Sequence, residues 1–152
     1  MKLSKGQKIC GVSYTFSSGM VYGTSISIRI TDEKMSATYF PWENIYNYDG
    51  DEREPVTIDN APIEKEKWEQ VEKALLNILP EIEIKKKKVF SPYSNMFALD
   101  ADSVYFSVIL RDKNGDENEI ACYVPRGEKF TVLLDIMKET VHPTGRTIKR
   151  FD

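Results

Sequence analysis

Residues 62 to 80 constrain the fold more than any other part of the chain. Pro62 and Pro80 bracket a stretch in which Trp68, Val71, Leu75 and Ile78 recur at three- and four-residue spacing, with Ala74 and Leu79 beside them. That spacing puts the apolar side chains on one stripe of an α-helix. Lys65, Glu66, Glu69, Glu72 and Lys73 fall on the other side. Pro62 suits the first helical turn, where its missing N–H has no intrahelical partner. Glu64 and Glu66 complement the helix dipole, and Pro80 stops the helix. A helix that is apolar along one stripe must be covered by a second layer. A similar segment begins at Glu128 and runs to about Thr140. Its stripe is Phe130, Leu133, Leu134, Met137 and Val141, and Pro143 ends it.

The rest of the chain reads as the sheet those helices need. Val12, Tyr14 and Phe16 lie two residues apart and predict a strand over 9–16. A second strand runs over 20–30, where Ile26, Ile28 and Ile30 alternate with Ser25, Ser27 and Arg29. Such alternation marks a half-buried antiparallel strand. Thr31 to Lys34 is a turn, a third strand follows to Phe40, and Val56-Thr57-Ile58 is a short strand. Glu81 to Ile84 resumes the alternation. Val104 to Leu110 carries apolar residues on both faces, which suggests a central strand. Asn114-Gly115 is the strongest hairpin signal, leading into a return strand over 119–124. Strands grouped ahead of helices predict an α+β fold, with a mostly antiparallel sheet of about six strands and two amphipathic helices on one face. At 152 residues, with no long Gly/Ser linker, the whole chain reads as one domain, and 144–152 as a flexible tail.

The charge balance of 21 basic and 24 acidic residues gives a net −3, which argues against a nucleic-acid partner. No apolar run approaches the roughly 18 residues of a membrane span. The first residues also lack the apolar core of a secretory signal. The expected location is the cytoplasm, although a chain trimmed of its leader would read the same. Cys10 and Cys122 sit among β-favouring residues and read as two small buried thiols. A bridge between them requires their strands to be neighbours.

Chemical motifs are weak. There is one histidine, His142, and the usual zinc sites need several His or Cys ligands at close spacing. His142 could act as a base for a cysteine only within hydrogen-bond reach, which spacing does not reveal. Asp112, Asn114 and Asp116 match three positions of a calcium loop, but Glu117 stands where glycine is needed and Tyr123 where a bidentate glutamate is needed. A hairpin turn explains the same residues. Gly19 and Gly23 are followed by a strand, whereas a phosphate loop opens a helix. Asp49, Asp51, Glu52 and Glu54 form an acidic cluster able in principle to do acid/base work, and read better as a solvated loop. Lys85 to Lys88, with Phe90 and Tyr93, join basic and aromatic residues as single-strand binders do. Lysines on an edge strand also simply block aggregation, which is the preferred reading. Tyr39, Phe40, Trp42, Tyr46 and Tyr48 are too dense for alternation to bury all five. Tyr39, Trp42, Tyr46 and Tyr48 are therefore the candidate partner surface, because Tyr and Trp are enriched at binding hot spots, and packing of these aromatics against the first helix is the preferred alternative.

Three segments together carry a resemblance. They are Phe16-Ser17-Ser18-Gly19-Met20-Val21-Tyr22-Gly23, Asp100 to Leu110, and the Asn114-Gly115 hairpin running into Cys122-Tyr123-Val124-Pro125 and the last helix. In these the chain resembles small uncharacterised α+β domains of gut-type Firmicutes. The resemblance implies a bacterial origin and an antiparallel α+β fold, and it carries over no functional residue. The expectation is a non-enzymatic interaction module whose partner is another protein. No catalytic residue, metal or cofactor is assigned. The alternatives are a small enzyme using the carboxylates around Asp49–Glu54 and a single-strand nucleic-acid binder acting through Lys85–Lys88.

Overall fold

A computed structural model describes residues 1–17, 25–39, 56–85 and 103–141. Six strands form one sheet: β1 (Lys8–Ser17), β2 (Ile26–Thr31), β3 (Lys34–Tyr39), β4 (Val56–Pro62), β5 (Ser103–Arg111) and β6 (Glu117–Cys122). Two helices complete the α+β fold, α1 (Lys65–Ile78) and α2 (Glu128–Val141), with a short 3-10 turn, Leu79–Glu81, after α1. The strand order is β4-β3-β2-β1-β5-β6, and every neighbouring pair is antiparallel. The first four strands form a meander, and β5 then returns to lie beside β1. The chain thus buries β1 in the middle of the sheet and leaves β4 at one edge.

Both helices lie over the same sheet face. Trp68, Val71, Leu75 and Ile78 of α1 and Phe130, Leu133, Leu134, Met137 and Val141 of α2 share one apolar cluster with alternate strand residues. Those strand residues include Val12 and Tyr14 of β1, Ile26, Ile28 and Ile30 of β2, and Phe106, Val108 and Leu110 of β5. Burying each of these large side chains contributes roughly 1.5–3 kcal/mol. The Phe130 ring closes this core over the sheet, tilted against Tyr14 at 5.8 Å and edge-on to Phe106 at 5.6 Å between centroids.

Two local readings need correction. Pro62 does not open α1; it ends β4, paired with Lys34, where an edge strand tolerates its missing N–H. The helix starts at Lys65 instead, and its cap residue Glu64 makes no side-chain capping bond. Ile84 forms a single bridge to Cys122 rather than a full strand. The residues before it are consumed by the 3-10 turn, which buries Leu79 and leads to buried Ile82. Cys10 and Cys122 are free, buried thiols as their strand context predicts, and β5 separates β1 from β6. The Asn114-Gly115 hairpin forms as read: Gly115 takes φ +86°, and Asp112 Oδ1 accepts the N–H groups of Asn114 and Asp116. That turn occupies the carboxylate that the calcium-loop reading required.

One close approach holds β1 against β5. The register slips at Cys10, between the Ile9–Leu110 and Gly11–Ile109 pairs. This bulge lets Ile109 fold over Gly11 on the face away from the helices. A Cβ on Gly11 would stand 2.7 Å from Ile109 Cδ1 and 3.1 Å from the Ile30 carbonyl oxygen. Gly11→Ala is therefore expected to cost about 1–3 kcal/mol of stability through overpacking. Adding Ile109→Val removes the nearest clashing atom and should restore part of that loss in urea denaturation. Equal stability of Gly11→Ala and the parent chain would refute the account.

Candidate functional site

The sheet face opposite the helices is polar, and its geometry follows from the register. Arg29 on β2 forms an ion pair with Glu119 on β6. Two strands lie between them, so the pair spans three interstrand spacings, about 14 Å. Long side chains can meet across that distance only over a low floor. Ser13 and Ser107 supply it: Ser13 sits opposite both Arg29 and Ser107 in the ladder. They are 7% and 0% exposed, and the Ser107 hydroxyl has no hydrogen-bond partner among the described residues. Tyr105 donates its hydroxyl to Glu119 Oε2 at 3.4 Å.

A second ionic knot lies at the end of the same face. Arg111 donates from Nη1 to Asp32 Oδ2 at 2.7 Å and from Nη2 to Asp32 Oδ1 at 3.1 Å. Its Nη2 and Nε also donate to Glu117 Oε1, at 2.7 and 3.3 Å. The paired fork fixes the β2–β3 turn onto β5 and β6. The Arg111 hydrogen bond holds the Asp32 carboxyl below its usual range, and the two carboxylates raise the guanidinium in return. A polar cavity of about 220 Å³ opens beside the knot, touching Arg29, Asp32, Lys34 and Glu117. Arg29, Asp32 and Glu117 are already held in ion pairs with Glu119 and Arg111. Cys10 lies close enough to feel them, yet burial first and the Glu117 charge second push its thiol up to about 11. Burial also raises Cys122.

The helical side of the molecule presents a different surface. The outer parts of α1 and α2 border a groove of about 680 Å³. Ala74 and Leu76 of α1 and Val132 and Ile136 of α2 line it, with Gln70, Lys73 and Asn77 as polar members. Leu76 is 48% and Val132 53% exposed. Both sit on helices whose inward stripes are already buried in the core.

The predicted site residues divide accordingly. Tyr39 is 3% exposed and belongs to the core. The alternation of β3 puts it on the helix face with Ala37, between Ile26 and Val56 in the ladder. Trp42, Tyr46 and Tyr48 lie outside the described residues, as do the Asp49–Glu54 cluster, His142, Gly19, Gly23, Lys86 to Lys88, Phe90 and Tyr93. Lys85 is described and sits at the sheet margin: its N–H bonds to the Ala121 carbonyl, and its ammonium lies 5.6 Å from the Tyr123 ring centroid. The groove itself was not anticipated. The signal for it was Leu76 and Val132 standing off the two apolar stripes, at positions where helical periodicity wants polar side chains.

Among the described residues, no set of three or more His, Cys, Asp or Glu is placed to hold a metal ion. No helix among them is long and apolar enough to cross a membrane. Comparison with protein-family models, curated proteins and solved structures finds no match to the chain.

Two outcomes test this description of the polar face. Because the folded Asp32 pKa is depressed, its contribution is full above the unfolded value of about 3.9 and is lost as pH falls through the folded value. The stability gap between the parent chain and Asp32→Asn, about 1 kcal/mol near neutrality, should therefore be flat above about pH 5 and close on acidification. A gap unchanged at pH 2 would assign it to another cause. A thiol raised to about 11 is ionised to roughly one part in a thousand at pH 8. Cys10 and Cys122 should then resist iodoacetamide in the native protein and react promptly in urea, read by mass spectrometry. Rapid native labelling of either would contradict the buried, protonated state.

Proposed function

We propose that this chain is a bacterial, non-enzymatic interaction module that acts in the cytoplasm and holds another protein in the α1–α2 groove. The carrying observation is that Leu76 and Val132, each about half exposed, border one groove from adjacent helices. Single exposed apolar side chains are ordinary on any surface. Two that share a groove with Ala74 and Ile136 make a continuous apolar strip with a polar margin, which is the anatomy of a recognition surface. The strip has nothing to gain from the domain's own core, which α1 and α2 complete with their opposite faces.

The polar sheet face supports the same division of labour. Its arginines are committed to internal carboxylates, so that face is closed on itself. The two unpaired thiols suit a reducing compartment.

The test is affinity capture from lysate of the source organism with three baits: the parent chain, Leu76→Ser/Val132→Ser, and Arg29→Ala on the opposite face. A protein recovered by the parent chain and by Arg29→Ala, and lost with the double serine variant, is the expected result. A partner retained by the serine variant would remove the groove from its role.

A further inference from the structure

We propose that Asn114 is a self-modification site: the Gly115 backbone nitrogen attacks its side-chain amide, and the asparagine becomes aspartate and isoaspartate. Asn114 is the one asparagine of the chain that glycine follows. A larger residue there would put a Cβ beside the attacking nitrogen, and glycine has none. Both residues are exposed at the tip of the β5–β6 hairpin. A Cβ placed on Gly115 would meet nothing within 4 Å, so the tip stands clear of the rest of the fold. The Asn114 backbone N–H is bonded to Asp112, but its side-chain amide has no hydrogen-bond partner among the described residues. The amide is therefore free to turn toward Gly115.

The two reacting groups belong to neighbouring residues, so the attack is unimolecular. A bond forms between the Gly115 nitrogen and Asn114 Cγ. The bond from Cγ to Nδ2 breaks, and Nδ2 leaves as ammonia with the proton that the Gly115 nitrogen gave up. Water then opens the resulting five-membered imide at either carbonyl. Opening at Cγ gives aspartate in an unchanged main chain. Opening at the backbone carbonyl gives isoaspartate, whose main chain is one methylene longer. One water is consumed and one ammonia is released, with no change of oxidation state.

The folded turn sets the pace. The Asp112 carbonyl accepts the Gly115 N–H at 3.1 Å, and the Asp112 N–H donates to the Asp116 carbonyl at 2.9 Å. Asp112 Oδ1 accepts the N–H groups of Asn114 and Asp116 at 2.8 and 3.0 Å. The Gly115 nitrogen must leave its bond to Asp112 before it can close on Cγ, so the reaction runs from a locally opened turn. Isoaspartate then keeps the turn from reclosing as before, because the added methylene moves Gly115 out of its φ +86° position. Asp116 and Glu117 follow directly, and Glu117 holds Arg111 at 2.7 Å. The modification thus reaches the ionic knot of the polar face.

The test ages the whole chain at pH 7.4 and 37 °C for several weeks and maps its peptides by mass spectrometry. A mass gain of about one dalton should appear at Asn114, as two products that separate by chromatography. Asn118, exposed on β6 and followed by Glu119, should stay unchanged. Asp112→Ala removes the side-chain acceptor and should modify at least threefold faster. Asp112→Asn keeps an acceptor oxygen at that place and should stay near the parent rate. The isoaspartate fraction, once isolated, should unfold at a lower urea concentration than the fresh chain. No gain at Asn114 in the native protein while the urea-unfolded chain converts, or an equal gain at Asn118, would overturn the site. Asp112→Asn as fast as Asp112→Ala, or Asp112→Ala no faster than the parent chain, would overturn the gating by the turn. The parent chain alone decides the first point, so a poorly folding Asp112→Ala does not obscure it.

Discussion

The pairing of β1 with β5 joins residues about a hundred positions apart, from Lys8–Arg111 to Ser17–Ser103, and the rest of the domain is assembled around it. Without it the chain is two pieces, a four-strand meander with α1 and a two-strand hairpin with α2. The hairpin piece has the smaller apolar face to set against its helix. A two-stranded hairpin alone is marginal in water, and its core-facing residues, Phe106, Val108, Leu110, Ile120 and Cys122, are few. Once β5 docks, Val12 and Tyr14 stand beside Phe106 and Val108, and both helices find a common floor. Such a long-range contact costs loop-closure entropy before it returns anything, so its interface must be well matched. The bulge at Cys10 and the seat of Ile109 on Gly11 are where that matching is tightest.

A sheet covered by helices on one side only leaves a second face to manage. Apolar residues there would invite association, and bare backbone would fray. The chain fills it with hydroxyl residues and two groups of ion pairs that cross strands. Pairs as exposed as Arg29–Glu119 add little to stability, on the order of 0–1 kcal/mol. Their geometry does something else. Arg29 and Glu119 tie β2 to β6 over the two central strands, and Arg111 ties the β2–β3 turn to β6. The unpaired Ser107 hydroxyl beneath them is the cost of keeping the floor low enough for the crossing. Strand edges are handled by similar means. In β4, Asn60 adopts φ +48°, its N–H bonds to Ser36 Oγ, and Pro62 ends the strand. That interruption makes a poor template for a further strand.

The helices and the strand patterns were legible in the residues because their periodicities carry a burial direction. Trp68 to Ile78 and Phe130 to Val141 could be placed on one side before any coordinates, and so could Ile26, Ile28 and Ile30. What was not legible depends on register, which no local pattern encodes. The alternation of β5 announced a central strand, but not that β1 would be its neighbour. Pro62 satisfied the rule for a helix start and the rule for an edge-strand end equally well. Only the pairing of β4 with β3 decides between them. Tyr39 was drawn toward the surface by its aromatic neighbours in sequence, while its strand phase, shared with Ala37, takes it into the core. Lys138 and Thr140 are buried although neither belongs to the apolar stripe of α2, so periodicity gives no sign of their burial.

The groove was missed for a related reason. A stripe defines a helix by what it buries, and reading by stripes discards the residues that stand off them. Leu76 follows Leu75 directly, and Val132 precedes Leu133, so each looks like an extension of the core rather than an outward feature. On a helix, adjacent residues point about 100° apart, and the neighbour of a buried leucine faces away from it. Two such leftovers become a surface only when their helices lie side by side. That adjacency is a consequence of β5 docking on β1, which brings the two helices onto one floor. The groove is thus a property of the closed sheet and not of either helix.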